Sequence, residues 1–416
     1  MRNRAFLTIY ESLWRGCLPL LRLSTRLREG WAQRTLKATV LDRADIWIQA
    51  ASVGEAYLAL HLAKALREDA DLKIMITSST SQGVELLTRS KAQLSIKTAY
   101  FPFDLPALMS KALTRVGPKV MVLLETELWP GLFASCNRLG IPLLILNGRL
   151  SSSSFRGHLL LKGFWHKHLP KRVLAVSTED AARYSLLFGR GVVGTMHNMK
   201  FDRVSIQSLE PEENPLKNLF PSSFPFVVFG SVRKEEEADI QYVIQRLRME
   251  RDGLLIGLFP RHMHRVEAWE KRLSKAQIPY QLRSQMDKTS ATRGGVILWD
   301  KLGELGFAYG LSRAVFVGGS LRPCGGQNFL EPLTYGVVPN VGPYLDNFQW
   351  IGSELFSIGL ARQIKSKEEL VSCLLKDLSE PKDPQKVLGL AQAYLRERQG
   401  GTQEACKEIM KRIFQP

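Results

Sequence analysis

Short apolar runs rich in strand-forming residues alternate with helical stretches along most of this 416-residue chain. Such alternation is typical of parallel sheets covered by helices, because consecutive parallel strands need a crossover connection. The first series of runs comprises 46–50, 73–77, 97–101, 120–124, 143–147 and 173–177. The second series comprises 226–230, 254–259, 296–299, 314–317 and 337–341. The pattern predicts an α/β protein with two parallel-sheet domains and a cleft between them, with ligands at the carboxyl ends of the strands.

Domain boundaries follow from the length of the chain and from one polar segment. A chain of this length suits two domains of about 200 residues each. Pro211, Pro215 and Pro221 lie in a polar stretch between the two series of strands, which indicates a linker. We therefore predict an N-terminal segment 1–43, a first domain 44–203, a linker 204–224, a second domain 225–390 and a C-terminal helix 391–416.

The charge balance points to an anionic partner. A formal net charge of +17 suits a membrane, a nucleic acid or a phosphorylated substrate. The chain shows no stretch of interleaved basic and aromatic residues, which argues against a nucleic-acid-binding protein. The five cysteines form no C-x-x-C pair, so the sequence favours a reduced chain without disulfides or a zinc site.

The N-terminal segment 1–43 carries nine Lys and Arg residues against three Asp and Glu residues. Its apolar residues at 6, 9, 10, 13, 14, 17 and 21 have helical spacing. A basic amphipathic helix is typical of a segment that lies on an anionic membrane surface. The alternative is a first helix that packs on the domain and keeps its basic face in water. Glu11, Arg15 and Pro19 interrupt the apolar run and disfavour a membrane span.

The most glycine-rich motif is the stretch 314–332, where a strand-like run is followed by glycine pairs at 318–319 and 325–326. Asn328 has the chemistry of a cap for a helix that starts at Phe329. A strand, a glycine-rich loop and a helix N-terminus together predict a site for a nucleotide phosphate. Glu331 would lie in the first helical turn and accept hydrogen bonds from sugar hydroxyls. The alternative is a tight strand-to-helix turn without a ligand.

Carboxylates follow two strands of the first series. Ser52 can cap the helix after the first strand, which places Glu55 in its first turn as a general base or as a partner of the helix dipole. Glu125 and Glu127 follow the run 120–124, where two neighbouring carboxylates are costly unless they are used. Further motifs at strand ends are 194–202, 230–233, 259–262 and 300–305.

Taken together and in this order, the motifs resemble the 3-deoxy-D-manno-octulosonic acid (Kdo) transferase family of lipopolysaccharide and lipid A biosynthesis. The resemblance runs from about Trp47 to Gln349, and its most specific parts are 52–55, 125–130, 147–151, 198–202, 260–262, 303–305 and 318–332. It implies two Rossmann-like domains facing a cleft, as in the glycosyltransferase B-type fold, with a C-terminal helix that packs back on the first domain. It also implies an inverting glycosyltransferase that moves Kdo from CMP-Kdo onto a lipid A precursor. Such an enzyme works at the cytoplasmic face of the bacterial inner membrane, either peripherally or with an N-terminal anchor.

The resemblance also assigns residues to roles. It implies that Glu55 is the general base and that Glu125 and Lys200 stabilise the transition state, although the sequence leaves open whether Glu125 or Glu127 is the closer carboxylate. The implied CMP contacts are Pro260, Arg261, Leu302, Gly303, Glu304, Asn328, Phe329, Leu330 and Glu331. We expect no metal and no cofactor besides the donor, because Lys, Arg and a helix terminus can neutralise a departing monophosphate. The Asp69-Ala70-Asp71 triplet precedes a strand, so we interpret it as a solvated turn rather than a metal site.

The chain departs from the family pattern at several donor-site positions. Val232 and Arg233 stand where Thr and His are usual, Gln327 and Phe329 stand where His and Pro are usual, and Leu302 stands in place of Met. Other interpretations on the same scaffold are a different B-type nucleotide-sugar transferase and a nucleotide-sugar epimerase. A nucleic-acid-binding protein is suggested by net charge alone, and the sequence leaves the oligomeric state open.

Overall fold

The computed structural model of the chain describes residues 2–38, 41–205, 213–219, 224–286 and 293–414. The chain divides into two compact units. The first contains Met1–Arg203 together with Arg398–Pro416, and the second contains Val204–Glu397. Each unit has a seven-stranded sheet in its described part, and the strand pairs are parallel. The predicted α/β fold with two parallel-sheet domains is therefore confirmed.

The sheet of the first unit is buried on both faces. Its strands are β1 (Ile46–Ala50), β2 (Ile74–Ser78), β3 (Lys97–Tyr100), β4 (Val120–Leu124), β5 (Leu143–Gly148), β6 (Arg172–Ala175) and β7 (Val193–Thr195). Its helices, in chain order, are α1 (Arg2–Leu21), α2 (Thr25–Arg28), α3 (Trp31–Arg34), α4 (Val53–Asp69), α5 (Ser81–Leu94), α6 (Pro106–Val116), α7 (Pro130–Leu139), α8 (Ser152–Leu159), α9 (Lys162–Trp165) and α10 (Thr178–Phe188). Along β1, Trp47 enters one apolar cluster while Ile46 and Ile48 enter the other, as period-two alternation requires.

The sheet of the second unit has the same doubly wound character. Its strands are β8 (Phe226–Val232), β9 (Leu255–Pro260), β10 (Tyr280–Leu282), β11 (Val296–Leu298), β12 (Ala314–Val317), β13 (Pro339–Val341) and β14 (Arg362–Gln363). Its helices are α11 (Glu237–Glu250), α12 (Val266–Lys275), α13 (Leu305–Leu311), α14 (Glu354–Ser357), α15 (Lys367–Ser379) and α16 (Pro384–Arg396). Val227 and Phe229 of β8 lie in a core with residues of α11, α12 and α15.

Strand order sets where each unit can bind a ligand. The first sheet has the order β3-β2-β1-β4-β5-β6-β7 and the second has β10-β11-β9-β8-β12-β13-β14. The direction of winding reverses between β1 and β4 in the first sheet and between β8 and β12 in the second. Ligands of open parallel sheets bind at the carboxyl ends of the strands at such a reversal. The motifs after these strands are therefore in the position where a site is expected.

The C-terminal residues are shared between the units. Helix α17 (Gly401–Phe414) belongs to the first unit, where Ala405 and Ile409 pack in the same apolar cluster as α4. The preceding helix α16 belongs to the second unit, which extends to Glu397. Of the predicted linker 204–224, residues 206–212 and 220–223 lie outside the described residues.

Three strands were not predicted from the sequence. Strands β7, β10 and β14 are two or three residues long and occupy edges of the sheets. Their residues are half-buried or exposed, so they lack the continuous apolar run by which the central strands were recognised.

Helix α1 has one side packed on the first unit and another side exposed. Phe6 and Leu7 pack against the core, and the Tyr10 hydroxyl donates a hydrogen bond to Asp104 Oδ2 at 2.8 Å. Ile9 and Leu13 are 59% and 61% exposed, and Leu20 is also exposed. Among the described residues, no helix combines the length and the hydropathy that crossing a membrane requires.

Candidate functional site

Glu55 lies where the first sheet reverses direction, in the first turn of α4. Ser52 caps this helix, as predicted, and its hydroxyl donates to Glu55 Oε1 at 3.0 Å. The Ala51 amide donates to Glu55 Oε2 at 2.6 Å. Burial raises the pKa of Glu55 to about 7 against the opposing effect of the Ala51 hydrogen bond, and the charges of Glu125 and Glu127 raise it further. A carboxyl with this pKa can exchange a proton near neutral pH, as a general base must.

Glu125 pairs with Lys200 in the same unit. Lys200 Nζ lies 2.6 Å from Glu125 Oε1, and both side chains are largely buried. Glu125 has a positive φ of 58°, an uncommon conformation for a side chain of this kind, and its amide donates to the Leu146 carbonyl. Strained backbone that persists at a strand end is typical of residues held for a function. The structure thus brings together two of the residues assigned to the transition state.

Glu127 occupies a separate hydrogen-bonding environment. Its Oε2 accepts from Trp129 Nε1 at 2.6 Å and from Gln49 Nε2 at 3.3 Å. Burial raises the pKa of Glu127, and the hydrogen bonds from Trp129 and Gln49 oppose that effect. Glu125 is therefore the carboxylate that pairs with Lys200, whereas Glu127 is held by neutral donors.

The loop that carries Lys200 is held by the start of α17. Glu404 accepts hydrogen bonds from the His197 amide at 3.0 Å and shares a second contact with His197 Nδ1 at 2.7 Å. Asp202 accepts from the amides of Gly400 at 2.7 Å and Thr402 at 2.6 Å. Gly401 lies between these two residues. A Cβ at Gly401 would lie 2.2 Å from the His197 carbonyl oxygen, so only glycine lets the start of α17 come this close to the His197 backbone. Helix α17 and the residues just before it therefore hold the loop that carries Lys200 in place.

Asn147 supports the same loop from the end of β5. Its Oδ1 accepts from the Met199 amide at 2.9 Å, directly before Lys200. Asn147 is fully buried and has a positive φ of 55°, which Asn tolerates better than most residues. The sequence had marked 147–151 as a motif without giving Asn147 a role. Neither did it connect the Gly400–Gly401 pair with Lys200, although paired glycines at a helix start were the available signal.

The residues assigned to CMP lie at the carboxyl ends of three strands of the second sheet, with Pro260 as the last residue of its strand. Arg261 follows β9, residues 302–304 follow β11, and residues 328–331 follow β12. Arg261 Nε donates to Gln327 Oε1 at 2.9 Å, so Arg261 reaches the residue directly before Asn328. The Cα atoms of Gln327 and Asn328 are about 3.8 Å apart, as for any two neighbouring residues. Arg261 and Asn328 are therefore close enough for one nucleotide to contact both.

Glu304 is held by two donors at the mouth of the loop after β11. Arg283 Nε lies 2.9 Å from Glu304 Oε2, and Trp299 Nε1 donates to the same oxygen at 2.7 Å. Leu302 is 80% exposed and Gly303 has a φ of 86°. Around Gly303, the backbone of this loop is therefore not covered by the Leu302 side chain.

The expected helix at Phe329 does not form. Residues 329–331 form a turn, followed by a four-residue 3₁₀ helix, Pro332–Tyr335, that ends at Gly336 with a φ of 79°. Pro332 has no amide hydrogen to donate and Gly336 adopts the left-handed conformation of a helix stop, so the segment is too short for an α-helix. Asn328 Oδ1 accepts from the Leu330 amide at 3.3 Å and caps a turn instead. The predicted helix with Asn328 as its N-cap is therefore wrong, whereas the CMP contacts assigned to 328–331 stay a prediction.

The glycine-rich loop also uses its amides internally. Glu236 is fully buried and accepts hydrogen bonds from the amides of Gly319 at 2.5 Å, Ser320 at 2.9 Å and Leu321 at 2.8 Å. Burial raises the pKa of Glu236, and these hydrogen bonds oppose the rise. A carboxylate of the chain itself thus occupies the anion site that the glycine pair had suggested for a phosphate.

Glu331 remains the carboxylate of this loop that can receive a ligand. It is half-buried, and burial raises its pKa. Among the described residues, no side-chain hydrogen bond to its carboxylate exists. Burial and then the charge of Glu331 raise the pKa of Tyr309, which places the two groups near each other. An acceptor with spare capacity suits ribose hydroxyls or a base amino group.

The departures from the family pattern have identifiable structural consequences. Val232 is buried in the core of the second unit, and the Arg233 amide donates to Glu236. Gln327 holds Arg261, and Phe329 is buried against the rings of Phe348 and Phe356 at 5.5 and 5.9 Å. In the described part of the chain, no group of three or more His, Cys, Asp or Glu side chains is arranged to hold a metal ion.

Comparisons with known proteins agree with these observations. Residues 24–203 match the family model described as 3-deoxy-D-manno-octulosonic-acid transferase (kdotransferase). A 3-deoxy-D-manno-octulosonic acid transferase of Bordetella pertussis is 29% identical over 377 residues, which cover 88% of this chain and 87% of that protein. The one from Haemophilus influenzae is 29% identical over 399 residues, covering 92% of each chain. A glycosyltransferase from Rickettsia africae shares the fold with a TM-score of 0.55 at 13% identity, covering 89% of this chain and 98% of that one.

Proposed function

Because the chain belongs to the Kdo transferase family, we propose that it is an inverting enzyme that moves Kdo from CMP-Kdo onto a lipid A precursor. The observation that carries this proposal is the arrangement in the first unit. A carboxyl with a pKa of about 7 stands at the reversal of the sheet, near a buried ion pair between Glu125 and Lys200. General base and charge stabiliser are the two parts that displacement at an anomeric carbon needs.

In the proposed reaction, Glu55 takes the proton from an acceptor hydroxyl as its oxygen forms a bond to the anomeric carbon of Kdo. The bond from that carbon to the CMP phosphate oxygen breaks, and the phosphate leaves with the electron pair. Lys200 and Arg261 offset the charge that develops, since both are cations held in place by hydrogen bonds or ion pairs. The chemistry needs neither a metal nor a further cofactor.

Donor binding is assigned to the second unit. Arg261 would contact the CMP phosphate, while Glu304 and Glu331 would accept hydrogen bonds from ribose or cytosine. Glu331 supports this role because its carboxylate has capacity to accept, as described above. The turn at Asn328–Leu330 and the loop at Gly303 would supply backbone amides in place of the missing helix terminus.

The enzyme would meet its acceptor at the cytoplasmic face of the inner membrane. The exposed residues Ile9, Leu13 and Leu20 of α1 give an apolar side, and the segment 1–43 has a surplus of basic residues. Apolar burial together with attraction to anionic lipids is the usual basis of peripheral binding. The other side of α1 packs on the first unit, which is the arrangement that the alternative interpretation of this segment expected.

The direct test is incubation with CMP-Kdo, generated in situ, and a tetra-acylated lipid A precursor. Mass spectrometry should show a product heavier by one or more Kdo residues. Calorimetry with CMP and UDP separates the alternatives, because a UDP-sugar transferase or epimerase on this scaffold would prefer UDP. Retention on heparin without a gel shift on DNA or RNA would dispose of the nucleic-acid interpretation.

A further inference from the structure

A cavity of about 490 Å³ lies in the first unit, between the N-terminal helices and the carboxyl edge of the sheet. We call it the N-terminal pocket. Its apolar wall comprises Trp14, Leu21, Leu27, Phe101, Phe103 and Trp129. The volume falls within the range of pockets that hold small ligands. Arg26 and Arg34 also line it, so the pocket combines an apolar wall with positive charge.

Arg34 is a buried cation on which the charge of Glu29 acts only from beyond ion-pair distance. It is only 4% exposed, and among the described residues it forms no ion pair. Its Nε donates to the Glu29 carbonyl at 3.0 Å and its Nη2 to the Ser79 carbonyl at 2.8 Å. Its remaining nitrogen, Nη1, has no hydrogen-bond acceptor in the described part of the chain. Burying a charge is costly unless it is paired, so this guanidinium is poised for an anion from outside the chain.

The surroundings of Arg34 compensate only part of that cost. The Tyr100 ring lies 4.6 Å from its guanidinium carbon and the Phe103 ring lies 5.7 Å away, which are favourable cation–π distances. Asp104 also lines the pocket, but its oxygens accept from the amides of Gly131 and Leu132 and from the Tyr10 hydroxyl. The one carboxylate of the wall is therefore engaged elsewhere.

The pocket shares part of its wall with the hydrogen-bond partners of Glu127. Trp129 lines the pocket and donates to Glu127 Oε2 at 2.6 Å. Ser79 also lines the pocket and accepts from Gln49 Nε2 at 2.9 Å, and the same nitrogen lies 3.3 Å from Glu127 Oε2. A ligand seated here would lie one side chain away from Glu127, whose charge acts on Glu55.

We propose that the N-terminal pocket holds one acyl chain of the lipid acceptor and that Arg34 binds the phosphate nearest to that chain. The apolar and aromatic wall suits a hydrocarbon, whereas a free phosphate would leave that wall without a partner. This assignment rests on the proposed function, which makes the acceptor an acylated and phosphorylated sugar. It also gives α1–α3 a role in substrate selection beyond contact with a membrane.

The test compares two variants with one control. Arg34→Gln removes the charge, and Leu27→Trp fills the apolar wall while leaving Arg34 in place. Arg28→Gln is the control, because Arg28 is an exposed arginine of α2 outside the pocket lining. KM and kcat are measured with the tetra-acylated precursor, with an acyl-free phosphorylated disaccharide and with an acylated, phosphate-free analogue. CMP affinity is measured by calorimetry on every variant.

We expect Arg34→Gln to raise KM for the tetra-acylated precursor by about tenfold or more, the loss typical of one hydrogen bond to a charged group. The phosphate-free analogue should not distinguish this variant from the wild type. Leu27→Trp should raise KM for both acylated acceptors and leave the acyl-free one unchanged. CMP affinity should be the same in all proteins, because the nucleotide is assigned to the second unit, and unchanged KM for the unaffected acceptor shows that the first unit of each variant is folded.

The pocket assignment is overturned if the wild type transfers Kdo and both variants keep the wild-type KM for every acceptor. Equal losses on all three acceptors would overturn it as well, because Arg34 would then act only as a structural clip. A wild type that transfers no Kdo would instead defeat the proposed function. In that case precursor binding is followed by the fluorescence of Trp14 and Trp129 in the wall, and Leu27→Trp and Arg34→Gln must both weaken it for the pocket to stand.

Discussion

The change Glu55→Gln tests the catalytic proposal most directly. The amide keeps the shape of the side chain and an oxygen that can accept from Ala51 or Ser52, so the first turn of α4 should remain folded. The amide cannot take a proton from a hydroxyl. We expect transfer to fall by about 100- to 10,000-fold, the usual contribution of a positioned base. CMP affinity should stay nearly unchanged, because we assign the nucleotide to residues of the second unit.

The pH profile gives this prediction a second readout. With a pKa of about 7, roughly half of Glu55 is ionised at pH 7 and about 1% at pH 5. Only the carboxylate is a base, so kcat/KM of the wild type should rise about tenfold per pH unit from pH 5 to 6. It should level off above about pH 8. The residual activity of Glu55→Gln should lack this dependence.

Stability should change in the opposite direction to activity. A carboxyl whose pKa is raised by folding, from 4.5 to about 7, destabilises the protein as pH rises through that window. The cost is absent below about pH 4.5 and complete above about pH 7. Removing the carboxylate should therefore stabilise the protein by about 1–3 kcal/mol at pH 8 and change little at pH 4.5. Urea denaturation at the two pH values measures the difference.

Glu68→Gln is the matched control, since Glu68 is an exposed residue near the other end of α4. It should leave turnover, the pH profile and the unfolding midpoint as in the wild type. Near-normal turnover in Glu55→Gln would refute the reasoning and make Glu127 the most plausible base. A wild-type profile that is flat between pH 5 and 8 would show that the burial of Glu55 does not set the rate.

Three further predictions concern other parts of the molecule. Glu404→Ala should lower kcat by about three- to tenfold with little change in CMP affinity, because it frees the loop that places Lys200, and a near-normal kcat would show that α17 does not position it. The double change Leu13→Glu and Leu20→Glu should weaken binding to anionic vesicles in sedimentation, and raised salt should weaken the wild type, whereas indifference to lipid charge would remove the electrostatic part. Glu236→Gln should destabilise the second unit by about 2–3 kcal/mol in urea denaturation, because Gln offers one acceptor oxygen to four amides, and an unchanged midpoint would contradict this.

Strand positions and the Ser52 helix cap were predictable because both depend on local pattern. Buried parallel strands such as β4 and β12 have continuous apolar runs, and the predicted bounds of both agree with the structure. Ser52 followed three residues later by Glu55 is a capping pattern whose geometry needs no tertiary information. The contacts that hold the loop carrying Lys200 could not be derived in the same way. They join residues about 200 positions apart, Asp202 with Thr402 and His197 with Glu404, and no local pattern encodes that approach.

The glycine pair at 318–319 shows why a local pattern can predict an anion-binding loop without identifying its anion. The loop does turn as glycines allow, with a φ of 71° at Gly319, and its amides do converge on an anion. The anion is Glu236, which lies more than 80 residues earlier at the start of α11. A buried carboxylate of the same chain satisfies three amides at once and leaves no donor of that set for a phosphate. In the proposed donor site, recognition then rests on Arg261 and on the turn after Gln327. Because Gln327 departs from the family pattern and contacts Arg261 directly, we expect the proposed CMP site to differ from that of the relatives at this pair.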